Sequence, residues 1–337
     1  MRYTISYSRA RCLAAAAMVA ALPGLARAEV PRVVTDIPPV HSLVAQVMGE
    51  LGAPVLLLDR GADAHDFQLR PSQMQALSGA GLVVWAGPGM TPWLARVIDT
   101  AGVGSSLALL EAEGTHLQDF GAGADDHDHG DDHGHDHGQK AEATGHAHDH
   151  GEKAAEAAHD HDHSGTDPHA WLDPHNAEGW LGLIAAELSR LDPANAATYS
   201  ANAAAAAEAV EALEDEITAM LAPVKDRPFV TFHDAYGYFT GHFGLRQVGS
   251  ITLGDAASPG AQRLSALRAE LAGQSALCVF PEANHDARLA VQLTDATGTK
   301  LGPVLDPEGS GFEPGPALYG DLLRGLAQGL VDCLGDS

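Results

Sequence analysis

Basic side chains are scarce in this chain. The sequence has 19 Lys and Arg against 45 Asp and Glu, which gives a formal net charge of −26. This excess of negative charge argues against nucleic acid and against an anionic membrane surface as partners. Much of it is local, because residues 125–163 hold nine Asp and three Glu against two Lys. A soluble protein that meets cations fits this pattern, although charge alone does not identify a ligand.

Long apolar runs are also missing. After the N-terminus, no segment reaches the roughly 20 consecutive apolar residues of a membrane-spanning helix. The shorter run CLAAAAMVAALPGLA follows three arginines, and Ala26-Arg27-Ala28 after it has the small-residue pattern of a cleavage site. We therefore predict a signal peptide at residues 1–28 and an exported mature chain. A hydrophobic N-terminal core helix is the alternative.

Cysteine is rare, and Cys12 lies inside the apolar run, so that export leaves Cys278 and Cys333. Two cysteines in an oxidising compartment most simply form a disulfide, which would join the strand at ALCVF to the C-terminal helix. Two unpaired buried thiols are the alternative. Zinc ligation by two lone cysteines without a CxxC spacing is less favoured.

The apolar pattern of the remaining chain alternates between strands and helices, which is typical of an α/β protein with parallel sheets. Strands such as GLVVWAG lie in a first lobe at residues 29–192, and the alternation restarts in a second lobe at residues 224–337. Between them, residues 193–223 are strong helix formers that end at Pro223, and they predict a long rigid helix.

Residues 121–165 interrupt the first lobe and contain no Leu, Ile, Val or aromatic residue, which predicts a disordered, mobile insertion. Paired imidazoles on a flexible chain can chelate a divalent ion, but the ordering entropy predicts low affinity and poor selectivity. A solvated acidic linker is the alternative. Eleven of the 19 histidines lie here and are the predicted auxiliary ligands: His127, His129, His133, His135, His137, His146, His148, His150, His159, His161 and His163.

Three other histidines follow predicted strands, where ligands bind in open α/β sheets: His65, His169 and His233. With the carboxylate of Asp306 in PVLDPEGSG, they would complete a four-coordinate Zn²⁺ site. Each has an Asp nearby in sequence that could accept its second ring N–H, namely Asp66, Asp173 and Asp234. The alternative for each histidine is an ordinary hydrogen-bonded loop residue.

Several motifs occur in an order that resembles one family over nearly the whole mature chain: GADAHDFQLRPSQMQAL, DPHAWLDP, FHDAYGYFTGHFGL, PGAQRL, CVFPEANHDARL and LDPEGSG. The chain is similar to the periplasmic zinc-binding proteins of zinc-uptake ABC transporters, the ZnuA type. The resemblance implies two α/β lobes joined by a long backbone helix, with one metal site between the lobes. It also implies a disulfide between Cys278 and Cys333.

Position by position, the resemblance assigns the metal ligands to His65, His169 and His233, and Asp306 matches a position that completes the site in some members. A His at the third position is typical of the zinc binders, where manganese binders have Glu, and imidazole does suit zinc better. The chain departs from the family in having Ala64 where Pro is usual. The implied partners are a membrane permease and its cytoplasmic ATPase, with periplasmic zinc chaperones as further candidates, and the protein is expected to be a monomer in a Gram-negative periplasm.

The remaining histidines are predicted to have other roles. His41 is expected to pack or cap, His242 and His285 to lie on helix surfaces, and His116 and His175 to be loop residues or outside candidates for ligation. Two other functions compete with zinc capture. A zinc hydrolase is disfavoured because the chain has no HExxH motif, so that we predict no enzyme activity. A zinc buffer or chaperone would act mainly through the His-rich insertion.

Overall fold

The computed structural model describes residues 30–65, 67–120, 165–252, 261–274 and 276–335. The predicted signal peptide and the eleven histidines of the insertion lie outside these ranges, and so does Asp66. Among the described helices, none is both long and apolar enough to cross a membrane.

The first lobe is built on a parallel sheet with the strand order β2-β1-β3-β4. Every residue of β1 and β3 is buried, as expected for central strands covered by helices on both faces. The strands are β1 Val33–Thr35, β2 Val55–Leu56, β3 Leu82–Trp85 and β4 Ser106–Ala108. The helices between them are α1 Pro38–Met48, α2 Pro71–Ser78 and α3 Pro92–Ala101, and each begins at a proline, whose fixed φ suits the first helical position.

The second lobe repeats this design with a parallel sheet of order β6-β5-β7-β8. Its strands are β5 Phe229–His233, β6 Gln247–Thr252, β7 Cys278–Val279 and β8 Lys300–Leu301. Its helices are α6 Gly237–Phe243, α7 Ala261–Gln274, α8 Arg288–Thr297 and α9 Leu318–Leu334. Strand β8 ends before Pro303, and Leu305 forms only an isolated parallel bridge with Glu282. Proline has no N–H to donate to a sheet.

Two long helices lie between the sheets, α4 Pro174–Leu191 and α5 Ala196–Leu221. Helix α5 has 26 residues, shorter than the predicted segment 193–223, and it is flanked by short 3₁₀ turns. At 1.5 Å per residue it spans about 39 Å. It packs against α4 and α1 and also against α9, so it contacts helices that belong to both lobes. The predicted fold class, two α/β lobes with a long connecting helix, is confirmed.

A disulfide between Cys278 and Cys333 joins β7 to α9, as predicted. The largest hydrophobic core runs from α1 through α4 and α5 to α9, and two smaller cores cover the outer faces of the sheets. The alternation along β1 shows the arrangement, because Val33 belongs to the central core and Val34 to an outer one. The central core therefore fixes the position of the segments that carry the candidate ligands.

Candidate metal centre

The structure brings His65, His169 and His233 together. His65 lies in the long loop after β2, His169 directly precedes the turn Ala170–Leu172, and His233 is the last residue of β5. The ring of His169 stands between the other two, with centroid distances of 5.4 Å to His65 and 5.1 Å to His233. These three residues are far apart in sequence, and the lobe packing makes them neighbours.

Two of the ring nitrogens face each other. Nε2 of His169 lies 3.4 Å from Nε2 of His233. Two ligand atoms bound to one tetrahedral Zn²⁺ at about 2.0–2.1 Å are separated by about 3.3 Å. The spacing of these two nitrogens therefore fits a shared zinc ion, because a metal can accept both lone pairs at once.

Burial of His169 and His233 requires a partner for each of their ring nitrogens. His169 and His233 each expose only 1% of their surface, whereas His65 is partly exposed. A buried polar group without a partner destabilises the fold by about 1–3 kcal/mol. The Nδ1 atoms of both rings lie against carboxylates and their Nε2 atoms lie against each other, with His65 on the more accessible side.

Carboxylates orient both buried rings through their other nitrogen. Nδ1 of His169 lies 2.7 Å from Asp167 Oδ1, and Nδ1 of His233 lies 2.6 Å from Glu282 Oε1. Such contacts fix the ring tautomer and leave Nε2 available for a metal. Asp167 also accepts the backbone N–H of His169, which holds the ring and its carboxylate in one turn.

Glu282 is itself anchored. The hydroxyl of Tyr236 donates to Glu282 Oε2 at 2.9 Å. Burial alone would raise the pKa of Glu282, but the adjacent His233 ring outweighs burial and lowers the pKa to about 2. Glu282 is therefore an ionised carboxylate that holds the Nδ1 proton of His233.

The prediction that a nearby Asp orients each ring was wrong for Asp173. That carboxylate caps α4 by accepting the backbone N–H of His175, and it contacts the rings of His116 and His242 instead. Asp234 stays a prediction. Glu282 was missed because it is remote in sequence from His233. A signal did exist, since β5 and β7 are adjacent parallel strands and Glu282 follows β7 at the same edge.

Asp306 lies close to this region, but its position as a ligand stays a prediction. It lines a small cavity together with Glu282 and His285. Its Oδ1 accepts the backbone N–H of Ser310 at 3.1 Å, and its Oδ2 accepts that of Gly311 at 2.8 Å. These bonds fix the conformation of the loop from Asp306 to Gly311.

His285 does not lie on a helix surface, contrary to the prediction. It precedes α8, stacks on Phe232 with a centroid distance of 4.7 Å, and places Nε2 3.4 Å from Glu282 Oε1. With His233 and Glu282 it forms an alternative group of potential ligands. The 2.6 Å contact between Glu282 and Nδ1 of His233 favours a hydrogen bond over a metal at that position.

Comparisons with known proteins show that zinc-uptake proteins are similar to this chain. A family model described as "Zinc-uptake complex component A periplasmic" matches residues 33–333. The high-affinity zinc uptake system protein ZnuA of Paracoccus denitrificans is 55% identical over 96% of this chain and 97% of its own length. ZnuA of Brucella abortus is 42% identical over 90% of this chain and 91% of its own.

Solved structures show the same fold. One titled "Crystal structure of ZnuA" has a TM-score of 0.69 and 23% sequence identity, and it covers 90% of this chain and 99% of its own. At this identity the likeness establishes the arrangement of elements. The assignment of individual ligands rests on the geometry of the histidines described above.

Proposed function

Because the chain belongs to the ZnuA family of periplasmic zinc-uptake components, we propose that it captures Zn²⁺ with His65, His169 and His233 and releases it to a membrane importer. Zinc is the ligand of this family. The observation that carries the assignment to these side chains is the 3.4 Å distance between Nε2 of His169 and Nε2 of His233. The carboxylates of Asp167 and Glu282 support it by orienting both rings.

The fourth ligand in this proposal is Asp306. Its Oδ1 accepts both the backbone N–H and the hydroxyl of Ser310, whereas its Oδ2 accepts the backbone N–H of Gly311 and has a second lone pair that can bind a metal. With the Asp306 carboxylate in the fourth coordination position, the zinc ion has no bound water, which hydrolysis would require. The 1% exposure of His169 and His233 also argues for binding without catalysis, because a bulky substrate has no access to them.

Delivery follows from membership in an uptake complex. We propose that the signal peptide at residues 1–28 directs the chain to the periplasm. There the metal passes to a permease driven by a cytoplasmic ATPase. The limits of the two lobes, residues 29–192 and 224–337, belong to the same proposal, with the zinc held between them.

A zinc buffer that acts through the eleven histidines of residues 121–165 is the competing function. Deleting residues 121–164 distinguishes zinc capture at the ordered site from zinc buffering by the insertion. The residues that flank the deleted segment lie close together in the structure. The backbone N–H of Phe120 donates to Gly165 O at 3.2 Å, and Asp119 pairs with Thr166, so that a two-residue glycine linker can join the ends. We expect the shortened protein to keep its tight zinc site within about twofold in Kd and to lose only weaker sites. Competition titration with a zinc chelator measures this, and loss of tight binding would favour the buffer function.

Zinc binding is expected to weaken as the pH falls below about 6.5. A neutral imidazole is required for ligation, so that protons compete with zinc for histidine ligands. Glu282 has a pKa of about 2 and stays ionised over this range, so it does not contribute to the loss. Chelator competition between pH 8 and pH 5 should show the affinity falling by more than tenfold per pH unit at the acid end. An affinity that is constant over this range would argue against histidine ligands.

A further inference from the structure

A second group of histidines and carboxylates lies apart from the first and is used by none of the functions above. It consists of Asp173 at the start of α4, His175 in the first turn of α4, Glu214 on α5 and His242 on α6. We call it the second cluster. The segments that carry His169 and His233 each continue into it, so that the same parts of the chain hold both groups.

The ring of His242 has a carboxylate at each nitrogen. Nδ1 lies 3.0 Å from Asp173 Oδ1, and Nε2 lies 3.1 Å from Glu214 Oε1. Only 9% of the His242 side chain is exposed, which contradicts its predicted place on a helix surface. Asp173 is held in turn by His116, whose Nδ1 lies 2.9 Å from Asp173 Oδ2.

His175 completes the group from the solvent side. Its Nε2 lies 3.7 Å from Glu214 Oε2, and its ring centroid is 4.7 Å from that of His242. One ligand atom from each of Asp173, His175 and His242 can be chosen so that all three lie within 4.8 Å of one another. The side chain of His175 is 64% exposed and that of Glu214 is 28% exposed, so an ion can reach the cluster without opening the fold.

This arrangement repeats the first site. A buried carboxylate holds Nδ1 of His242 as Glu282 holds Nδ1 of His233, and in both places Nε2 points toward another potential ligand. Each oxygen of Glu214 faces one imidazole, Oε1 at 3.1 Å from Nε2 of His242 and Oε2 at 3.7 Å from Nε2 of His175, so that the carboxylate can bind an ion between the two rings through either oxygen. Two imidazoles with one carboxylate form a donor set suited to zinc.

A protonated His242 would also satisfy both carboxylates. Burial opposes the charged ring, but the contacts with Asp173 and Glu214 outweigh burial and raise the pKa of His242. The two carboxylates therefore make a proton on His242 more favourable than on a free imidazole. A metal between His242 and Glu214 would displace that proton, which is the usual exchange at a histidine ligand.

We propose that His175, His242 and Glu214 form a second, weaker zinc site, with Asp173 as the positioning residue for His242. Water fills the remaining coordination positions, since the site opens to solvent. The bound ion links α4 and α5 to α6, and α6 follows β5 of the second lobe. Occupancy of this site therefore holds the helix after His233 against the long connecting helix.

Crystals of the mature protein grown with three equivalents of zinc test the proposal by anomalous scattering at the zinc edge. We expect one peak at His169 and His233 and a second within about 2.0–2.2 Å of Nε2 of His175 and His242. In Glu214→Gln and His175→Ala crystals the second peak should be lost and the first retained. A wild-type map without the second peak, or a second peak that survives either substitution, overturns the proposal. Loss of the first peak alone contradicts the proposed function and leaves this one standing.

Thermal denaturation gives the matching result in solution. Zinc beyond the first equivalent should raise the Tm of the wild-type protein by about 4 °C at a hundredfold excess over the second Kd. Glu214→Gln should abolish this additional rise. Glu211→Gln, which makes the same charge change on an exposed position of the same helix, should keep it. Equal additional shifts in the two variants would overturn the assignment. Zinc held by the His-rich insertion should add little to Tm, because those clustered histidines bind in the unfolded chain too.

Discussion

The His169→Ala protein should bind zinc about 10²–10³-fold more weakly than the wild type. Structural zinc sites have apparent binding free energies of roughly 10–16 kcal/mol, which over four ligands is about 2.5–4 kcal/mol for each. His169 is the central ring of the three, and its Nε2 lies 3.4 Å from that of His233. Its removal leaves His233 and His65 without the ligand between them. Competition titration against a chelator of known zinc affinity measures the change.

His285→Ala is the matched control, because it removes an imidazole from the same region. His285 contacts Glu282 at 3.4 Å and stacks on Phe232, but the proposed zinc position lies on the opposite side of the His233 ring. We expect its Kd to change less than threefold. Strong loss in His285→Ala together with wild-type binding in His169→Ala would instead place the metal among His233, Glu282 and His285.

Glu282→Gln is expected to weaken zinc binding by about 10–100-fold, the usual effect of losing a partner that orients a metal ligand. The substitution keeps the size of the side chain and an acceptor for Tyr236. It removes the negative charge that lies 2.6 Å from Nδ1 of His233. His233 then loses the contact that fixes its tautomer and increases the basicity of Nε2. Calorimetry should show the lower affinity with one tight site still present.

The control for the loss of charge is Glu313→Gln, since Glu313 is exposed and pairs with Arg60. Its zinc affinity should equal that of the wild type within about twofold.

The pH dependence of the free energy of unfolding gives a second test of the Glu282→Gln protein. It shows whether the loss of zinc binding comes from the missing charge beside His233 or from a general loss of stability. Glu282 has its pKa lowered from 4.5 to about 2, so the metal-free protein gains stability from this group above pH 4.5 and loses it as the pH falls toward 2. Glu282→Gln should remove that part of the acid sensitivity. Unchanged zinc affinity in Glu282→Gln would mean that the carboxylate has no part in the site.

The sequence singles out His65, His169 and His233 by short motifs, and the structure brings the three rings together. The carboxylates that contact Nδ1 of His169 and His233 could not be identified from sequence motifs. The expectation that the nearest Asp orients each ring failed at Asp173, because the start of α4 takes that carboxylate as its cap. Glu282 becomes a neighbour of His233 only through the pairing of β5 with β7, a contact that depends on the order of strands in the sheet.

The contacts within the second cluster also depend on the packing of elements that are distant in sequence. The sequence predicts His242 on a helix surface, and the structure contradicts this prediction. In the folded chain α6 packs near the start of α4 and beside α5, and these neighbours enclose His242 between two carboxylates. Helix periodicity identifies the face of a helix, but the element that covers this face depends on the packing of the two lobes.

The most direct test is a crystal structure of the mature protein with one equivalent of zinc, with data collected on both sides of the zinc edge. A single anomalous peak should lie about 2.0–2.2 Å from Nε2 of His169 and Nε2 of His233 and within reach of the His65 ring. Asp306 should complete the coordination. A peak between Nδ1 of His233 and His285, or zinc bound only to residues 121–165, would contradict the account.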